Sequence, residues 1–225
     1  MTMDSYAALW SGGKDSCFAC HRAISAGLKV THLVNFADAS LGRSLSHGIG
    51  APVLACQVRA VGLPLVQRPV LKGSYEAVFK ETMRELKAMG VAGLVTGDID
   101  FNAHRVWLER VCGEAGLVLH MPLWGMTPWE IMNGLVAVGF RALIVSLQAK
   151  ALGEEWLGSE MSKSFFEELR KLEQSNQVHP CGESGEYHTL VIDGPMFSRP
   201  LRIGRAERYQ KDGRWFLDVK ECSLA

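Results

Sequence analysis

The sequence predicts an α/β protein: a doubly wound parallel sheet in the N-terminal half, followed by a smaller α+β domain. Three observations carry this. Near-continuous apolar runs alternate with helix-patterned stretches as far as about residue 121, as strands do when helices cover both faces of a parallel sheet. The first apolar run ends in a Gly-rich loop that leads into a helix, the arrangement that positions ligands in such sheets. Beyond Pro122-Leu123-Trp124-Gly125 the pattern changes to capped helices and then to β segments.

In chain order, apolar runs predict strands from Tyr6 to Trp10, Val30 to Phe36, Leu65 to Val70, Val91 to Thr96 and Leu117 to Met121. A helix opens at Cys17. Between the third and fourth strands, Tyr75, Val78, Phe79, Met83, Leu86 and Met89 recur at helical spacing, and Gly90 closes the helix. Thr127-Pro128-Trp129-Glu130 reads as a capping box with Pro at the first helical position, and its helix runs to about Gly139. Arg141 to Leu147 is another buried strand. Ser164-Phe165-Phe166-Glu167 reads as a second capping box, with Phe165, Leu169 and Leu172 on one face of its helix. Strands follow at Thr189 to Ile192, Leu201 to Tyr209 and Arg214 to Val219, the last two joined through the hairpin signal Lys211-Asp212-Gly213. These elements divide the chain into domains 1–124 and 125–225. The alternative is that the helix and strand between 128 and 147 extend the first sheet, which moves the junction towards 155.

With 225 residues and 48% of them apolar, the chain has material for a proper core. Lys plus Arg equals Asp plus Glu at 24 each, so no global field draws it to nucleic acid or to an acidic membrane. No apolar run approaches the roughly 18 residues of a membrane span, and Met1-Thr2-Met3-Asp4 lacks the basic region of a secretory signal, so a cytoplasmic location is expected. Six scattered cysteines suit reduced thiols. Cys17-Phe18-Ala19-Cys20-His21 matches the haem-attachment spacing, but it sits where the Gly-rich loop enters its helix, and small packing side chains explain it.

The loop Ser11-Gly12-Gly13-Lys14-Asp15-Ser16 has the chemistry of a phosphate site. Glycines let backbone approach a ligand, while N–H groups, hydroxyls, the helix dipole and the mobile positive charge of Lys14 favour an anion. It is not a Walker A loop, because Asp15 follows Lys14 and no glycine lies five residues before Gly13; the dinucleotide spacing G-x-G-x-x-G is also absent. In an open α/β sheet, residues just after other strands converge on the same edge, which nominates Asn35 and Asp38 after the second strand and Gly97, Asp98 and Asp100 after the fourth. A second cluster, His179-Pro180-Cys181-Gly182-Glu183-Ser184-Gly185-Glu186-Tyr187-His188-Thr189 followed by Asp193-Gly194-Pro195, places Glu183, Glu186 and His188 within six residues. That group could accept protons or ligate Mg²⁺, and equally could form a solvated turn.

The hexapeptide resembles the PP-loop, S-G-G-x-D-S, of the N-type ATP pyrophosphatases. Taken with Gly97-Asp98-Ile99, Pro122-Leu123-Trp124-Gly125 and the C-terminal C-G-E-S-G-E-Y-H-T with D-G-P, nearly the whole chain resembles the diphthine–ammonia ligase family. The resemblance implies an adenine-nucleotide α-hydrolase-like (HUP) sheet carrying a smaller C-terminal domain. It implies ATP-dependent amidation: a carboxylate is adenylated, pyrophosphate leaves and ammonia attacks. Ser11, Gly12, Gly13, Lys14, Asp15, Ser16, Asn35, Gly97 and Asp98 would then bind ATP, with Asp15 helping to hold Mg²⁺. Lys14, Asp15, Glu183, Glu186 and His188 would form the catalytic set. No glutaminase domain is visible, so ammonia would be taken free. The family's acceptor in archaea and eukaryotes is diphthine, a modified histidine of elongation factor 2; a bacterial chain would amidate something else. Oligomeric state is not legible, and a homodimer is allowed. Two rival classes remain: a PP-loop tRNA-modifying enzyme, disfavoured by the neutral charge balance, and a non-enzymatic adenine-nucleotide module, which would have no use for Glu183, Glu186 and His188.

Overall fold

The structure is a computed structural model that describes residues 4–175 and 178–225; Met1 to Met3, part of the N-terminal segment considered above, lie outside them. The chain divides into two compact units. One comprises Met1–Ser11, Asp15–Gly48 and Gly62–Gly125, and the other Gly12–Lys14, Ile49–Val61 and Met126–Ala225.

The first unit is built on the parallel strands β1 (Ser5–Leu9), β2 (Lys29–Asp38), β4 (Leu65–Val70), β5 (Val91–Val95) and β6 (Val118–His120), with α1 (Lys14–Ser25), α3 (Tyr75–Ala88) and α4 (Asn102–Glu114) as crossovers. The chain steps outward from β1 through β2 to β4, then returns to the other side of β1 with β5 and β6, so strand order reverses between β1 and β5. A two-residue strand, β3 (Arg43–Ser44), pairs antiparallel with the end of β2. Phe79, Met83 and Leu86 of α3 pack with Leu108 and Val111 of α4 against Ala7, Val34 and Leu94 of the sheet. The α/β class and the five parallel strands agree with the sequence reading.

Two details differ. β2 continues to Asp38, because β4 pairs with it through Asp38 and Val70, so Asn35 lies inside the strand and Asp38 ends it. The helix after the loop starts at Lys14, three residues earlier than expected.

The second unit is built on the antiparallel strands β7 (Arg141–Gln148), β8 (Tyr187–Asp193), β10 (Ala206–Lys211) and β11 (Arg214–Val219), in the order β10-β11-β7-β8. A separate pair joins β9 (Leu201–Ile203) to β12 (Cys222–Leu224). Its helices are α2 (Ala51–Val61), α5 (Pro128–Ala137) and α6 (Lys163–Gln174). The Thr127 capping box is present in full, with Glu130 N donating to Thr127 Oγ1 and the Glu130 carboxylate accepting from Thr127 N at 2.7 Å. The cap of α6 is a correction: Ser162, in extended backbone, accepts from Phe165 N, while Ser164 is already helical. The expected strand from Leu201 to Tyr209 is also two strands. It breaks at Gly204, whose N–H donates to Glu221 O, and the two pieces take different partners. The hairpin turn is as expected: Asp212 and Gly213 both have positive φ, 50° and 73°, as a two-residue type I′ turn requires.

The thiols of Cys17 and Cys20 are buried among α1 packing, which pushes Cys17 well above its ordinary pKa and Cys20 up to about 12, the state of inert packing groups. Among the described residues no helix is long and apolar enough to cross a membrane.

Gly93 of β5 faces the Tyr6 ring so closely that a Cβ there would lie 2.5 Å from it and 2.4 Å from Val118 O. Gly113, in the last turn of α4, has open space around its Cβ position. Gly93→Ala is therefore expected to destabilise the fold by about 1–3 kcal/mol through overpacking. Gly113→Ala is expected to stabilise it by roughly 0.4–1 kcal/mol. Urea unfolding of the two variants checks both signs.

Candidate functional site

The loop after β1 is shaped from two directions. In the first unit, Trp10 N donates to Val34 O at 2.7 Å, and the hydroxyls of Ser11 and Ser16 stand 3.0 Å apart across the loop. Gly97 follows β5 and lies against the start of α1. A Cβ at 97 would come within 2.8 Å of the Asp15 carbonyl carbon and 2.9 Å of Ser16 N, so only glycine lets the two backbones meet. Beside it, Asp98 accepts a hydrogen bond from His104 Nδ1 in the first turn of α4. Asn35 is buried and tied into the sheet: its amide donates to Trp10 O (2.8 Å) and Ser44 Oγ (3.0 Å), and its oxygen accepts from Gln67 Nε2. The Asp38 carboxylate accepts from Ser40 Oγ and from the N–H groups of Ser40 and Leu41, which hold it below the usual carboxylate range. A cavity of about 850 Å³ opens at the carboxyl ends of β2 and β4, lined among others by Asp38, Leu45, Val70, Tyr75 and His104.

In the second unit, residues 12–14 run along the open edge of β8. Val191 N donates to Gly12 O at 3.0 Å. The fully buried Gln57 of α2 bridges the two segments, its Nε2 donating to Gly12 O (2.9 Å) and Val191 O (2.7 Å). Gly12 has φ +82°, and a Cβ there would strike Gln57 Oε1 at 2.5 Å. Lys14 is 3% exposed. Its N–H donates to Thr189 Oγ1 (3.0 Å), its ammonium donates to Cys181 O (2.5 Å), and the Tyr187 ring lies 5.3 Å from Nζ. The mobile charge expected from sequence is thus a seated one.

The acidic segment is an ordered loop. Gly182 has φ +73°, and its Cβ position lies 2.8 Å from Tyr187 O, so the curl at 182 excludes a side chain. Gly185 O accepts from Arg214 Nη1 (2.6 Å) and Gln148 Nε2 (3.0 Å). Glu183 is exposed and Glu186 buried, so the two carboxylates stand in different settings. Glu186 Oε1 accepts from His179 N at 2.8 Å, and Oε2 is buried with no hydrogen-bond partner among the described residues. His188 points to the face of β8 opposite Tyr187 and Thr189, and is paired in register with Ser146 of β7.

Two models of the diphthamide synthase family, its N-terminal and C-terminal domains, match residues 4–119 and 127–225. The chain belongs to the diphthamide synthase family. Curated relatives named diphthine–ammonia ligase include those of Schizosaccharomyces pombe (27% identical over 95% of this chain), Danio rerio (28% over 88%) and Homo sapiens (27% over 89%). The chain spans 39% of the first relative's length, 86% of the second's and 83% of the third's. A solved structure described as a predicted subunit of tRNA methyltransferase from Methanocaldococcus jannaschii aligns with a TM-score of 0.45 and 14% identity, covering 86% of this chain and 98% of that one.

In this member of the diphthamide synthase family, Lys14 of the loop and the motif residues Cys181, Tyr187 and Thr189 lie together, and the residues that hold the two segments in place were not singled out from the sequence. Gln57 carried a faint signal, as the one amide in an apolar helical stretch. Thr189 and Cys181 lie within the motif, but only the fold reveals their hydrogen bonds to Lys14. Arg214 and Gln148 carried no signal.

His188 is held at a pKa of about 4, chiefly by burial and then by the Arg214 and Lys14 charges, so it is neutral at pH 7. The unfolded chain's imidazole takes up its proton near 6.5. The folded preference for the neutral form therefore contributes stability in full above pH 6.5 and loses it as pH falls through 4, by about 3 kcal/mol at most. His188 imidazole resonances are expected to titrate near 4, and His188→Gln should flatten the fall in unfolding free energy between pH 7 and 4.5.

Proposed function

We propose that this chain is an ATP-dependent, AMP-forming carboxylate–ammonia ligase of the diphthine–ammonia ligase kind, with diphthine on elongation factor 2 as acceptor where the source makes it. One observation carries the reading. Lys14 of the phosphate loop is seated by Cys181, Tyr187 and Thr189 of the C-terminal motif, so the two most distinctive segments of the sequence form one constellation. A nucleotide sensor gains nothing from a motif that also carries Glu183, Glu186 and His188. The neutral charge balance gives no support to RNA as substrate.

In this reading residues 1–124 carry most of the ATP contacts and 125–225 the acidic motif, and the enzyme works in the cytoplasm. Ser11, Gly12, Gly13, Lys14 and Ser16 hold the phosphates, with the N-terminus of α1 adding its dipole. Gly97 lets the end of β5 meet the start of α1 at this edge, Asp98 and Asn35 brace it, and the cavity at the ends of β2 and β4 has room for a nucleoside. Asp15 belongs to the loop itself, and among the described residues no cluster of three His, Cys, Asp or Glu forms a dedicated cage. A lone carboxylate next to phosphates fits Mg²⁺, which usually takes one or two carboxylates plus substrate oxygens. When bound with ATP, Mg²⁺ supplies neutralisation of the departing pyrophosphate.

The acceptor carboxylate oxygen attacks the α-phosphorus and pyrophosphate leaves, which turns a poor leaving oxygen into an activated acyl group. Ammonia then adds to the acyl carbon and AMP departs. Lys14 steadies the phosphate charge in the first step. The buried Oε2 of Glu186 accepts an N–H of ammonium, Glu183 works from the exposed side of the loop, and neutral His188 offers a proton acceptor beside them.

The decisive experiment supplies ATP, Mg²⁺, ammonium and diphthine-bearing elongation factor 2, and follows AMP, pyrophosphate and, by mass spectrometry, conversion of carboxyl to amide. The three products are expected in equal amounts. Lys14→Met should lower kcat/KM by roughly 10²–10³, the scale of losing one preorganised charge-stabilising group. Absence of pyrophosphate release, with this acceptor and with the carboxylates of a cell extract, would overturn the assignment.

A further inference from the structure

A second cationic site lies beside the acidic loop, and no ligand is assigned to it above. A cavity of about 510 Å³ is lined by Gln148, Ala149 and Lys150 at the end of β7, by the turn residues Asp212 and Gly213, and by Arg214 at the start of β11. Arg214 is fixed there. Its Nε and Nη2 both donate to Ser146 Oγ, at 3.4 and 3.1 Å, and Nη1 donates to Gly185 O at 2.6 Å. A guanidinium has five N–H groups. These bonds use three, which leaves one on each Nη, a paired set of donors held rigid by its own anchors.

We propose that Arg214, with Lys150, is the subsite that grips the acceptor's carboxylate, resting on the ligase reading above. Two parallel donors match a planar carboxylate bidentately, and Lys150 adds a second positive charge to the same cavity. The location suits the reaction. Arg214 holds the backbone of the loop that carries Glu183 and Glu186, and Ser146, which it also holds, is the cross-strand partner of His188. His188 feels the charges of both Arg214 and Lys14, the cation assigned to carboxylate and the cation assigned to phosphate. Asp212, the one acidic group of the lining, faces two cations.

A fork of this kind also fits phosphate, so the test separates the two anions without relying on turnover. The full-length protein, labelled with ¹⁵N at arginine and histidine, is titrated with sodium propionate, with inorganic phosphate and with sodium chloride at matched ionic strength. Propionate is expected to shift the Arg214 Nη and His188 resonances saturably and at lower concentration than phosphate, while chloride does not shift them. Lys150→Met, which disturbs none of the loop's hydrogen bonds, should weaken propionate binding about tenfold, the loss of one charge-assisted contact. In the ligase assay the same variant should raise KM for the acceptor and leave KM for ATP alone. Shifts with phosphate but not propionate, equal shifts with chloride, or a Lys150→Met protein that binds propionate like the wild type would each overturn the proposal. Saturable propionate binding by a protein that makes no amide would instead overturn the ligase reading and leave an anion site of another use.

Discussion

The Gly-rich loop after β1 keeps its form because an edge strand holds it. β8 closes one side of the antiparallel sheet, and an open edge offers N–H and C=O groups that must find partners. Here Val191 N takes Gly12 O, Gln57 Nε2 takes both Gly12 O and Val191 O, and Thr189 Oγ1 takes Lys14 N. A loop rich in glycine is entropically costly to order. These four bonds, most of them buried, fix it where a flexible loop would fold only around its ligand. Preorganised donors lose no reorganisation energy when charge develops near them, which is the advantage an adenylating site needs.

The same anchoring explains the electrostatics. Burying an ammonium costs several kcal/mol unless it is well coordinated, and the Cys181 carbonyl and Tyr187 ring give Lys14 a defined seat. Arg214, part-buried on the other face of β8, loses some hydration and is supported by Glu186. Burial, with the charges of Arg214 and Lys14 added to it, leaves His188 uncharged over the physiological range, so the segment carries two separate positive groups and a neutral ring.

The parallel sheet was legible because its central strands β1, β2 and β5 are largely buried and therefore read as apolar runs; the order of the strands was not, since it depends on which edges pair. Thr127 and Glu130 announced their helix because a capping box is local. Ser164 misled because it also stands three residues before a glutamate, whereas the cap is Ser162, and only backbone geometry tells the two apart. Leu201 to Tyr209 looked like one strand because alternation says nothing about partners, and the break at Gly204 follows from Glu221 and β12. In the site, residue identity told which groups were present and not what held them. Lys14 looked mobile because its partners lie more than 160 residues away, and Gln57 belongs to no motif the sequence shows, because its partners too are distant in the chain.

Gln57 has a consequence for how the molecule can be divided. The peptide that shapes the Gly-rich loop comes from the far end of the chain, and the amide that staples them comes from a helix in between. A fragment ending near Gly125 would keep every residue of the hexapeptide and lose the template against which it is moulded, while the remainder would expose an unpaired β edge. Shuffling the halves between relatives would have to carry Gly12, Gln57 and Val191 together, as one inherited fastening.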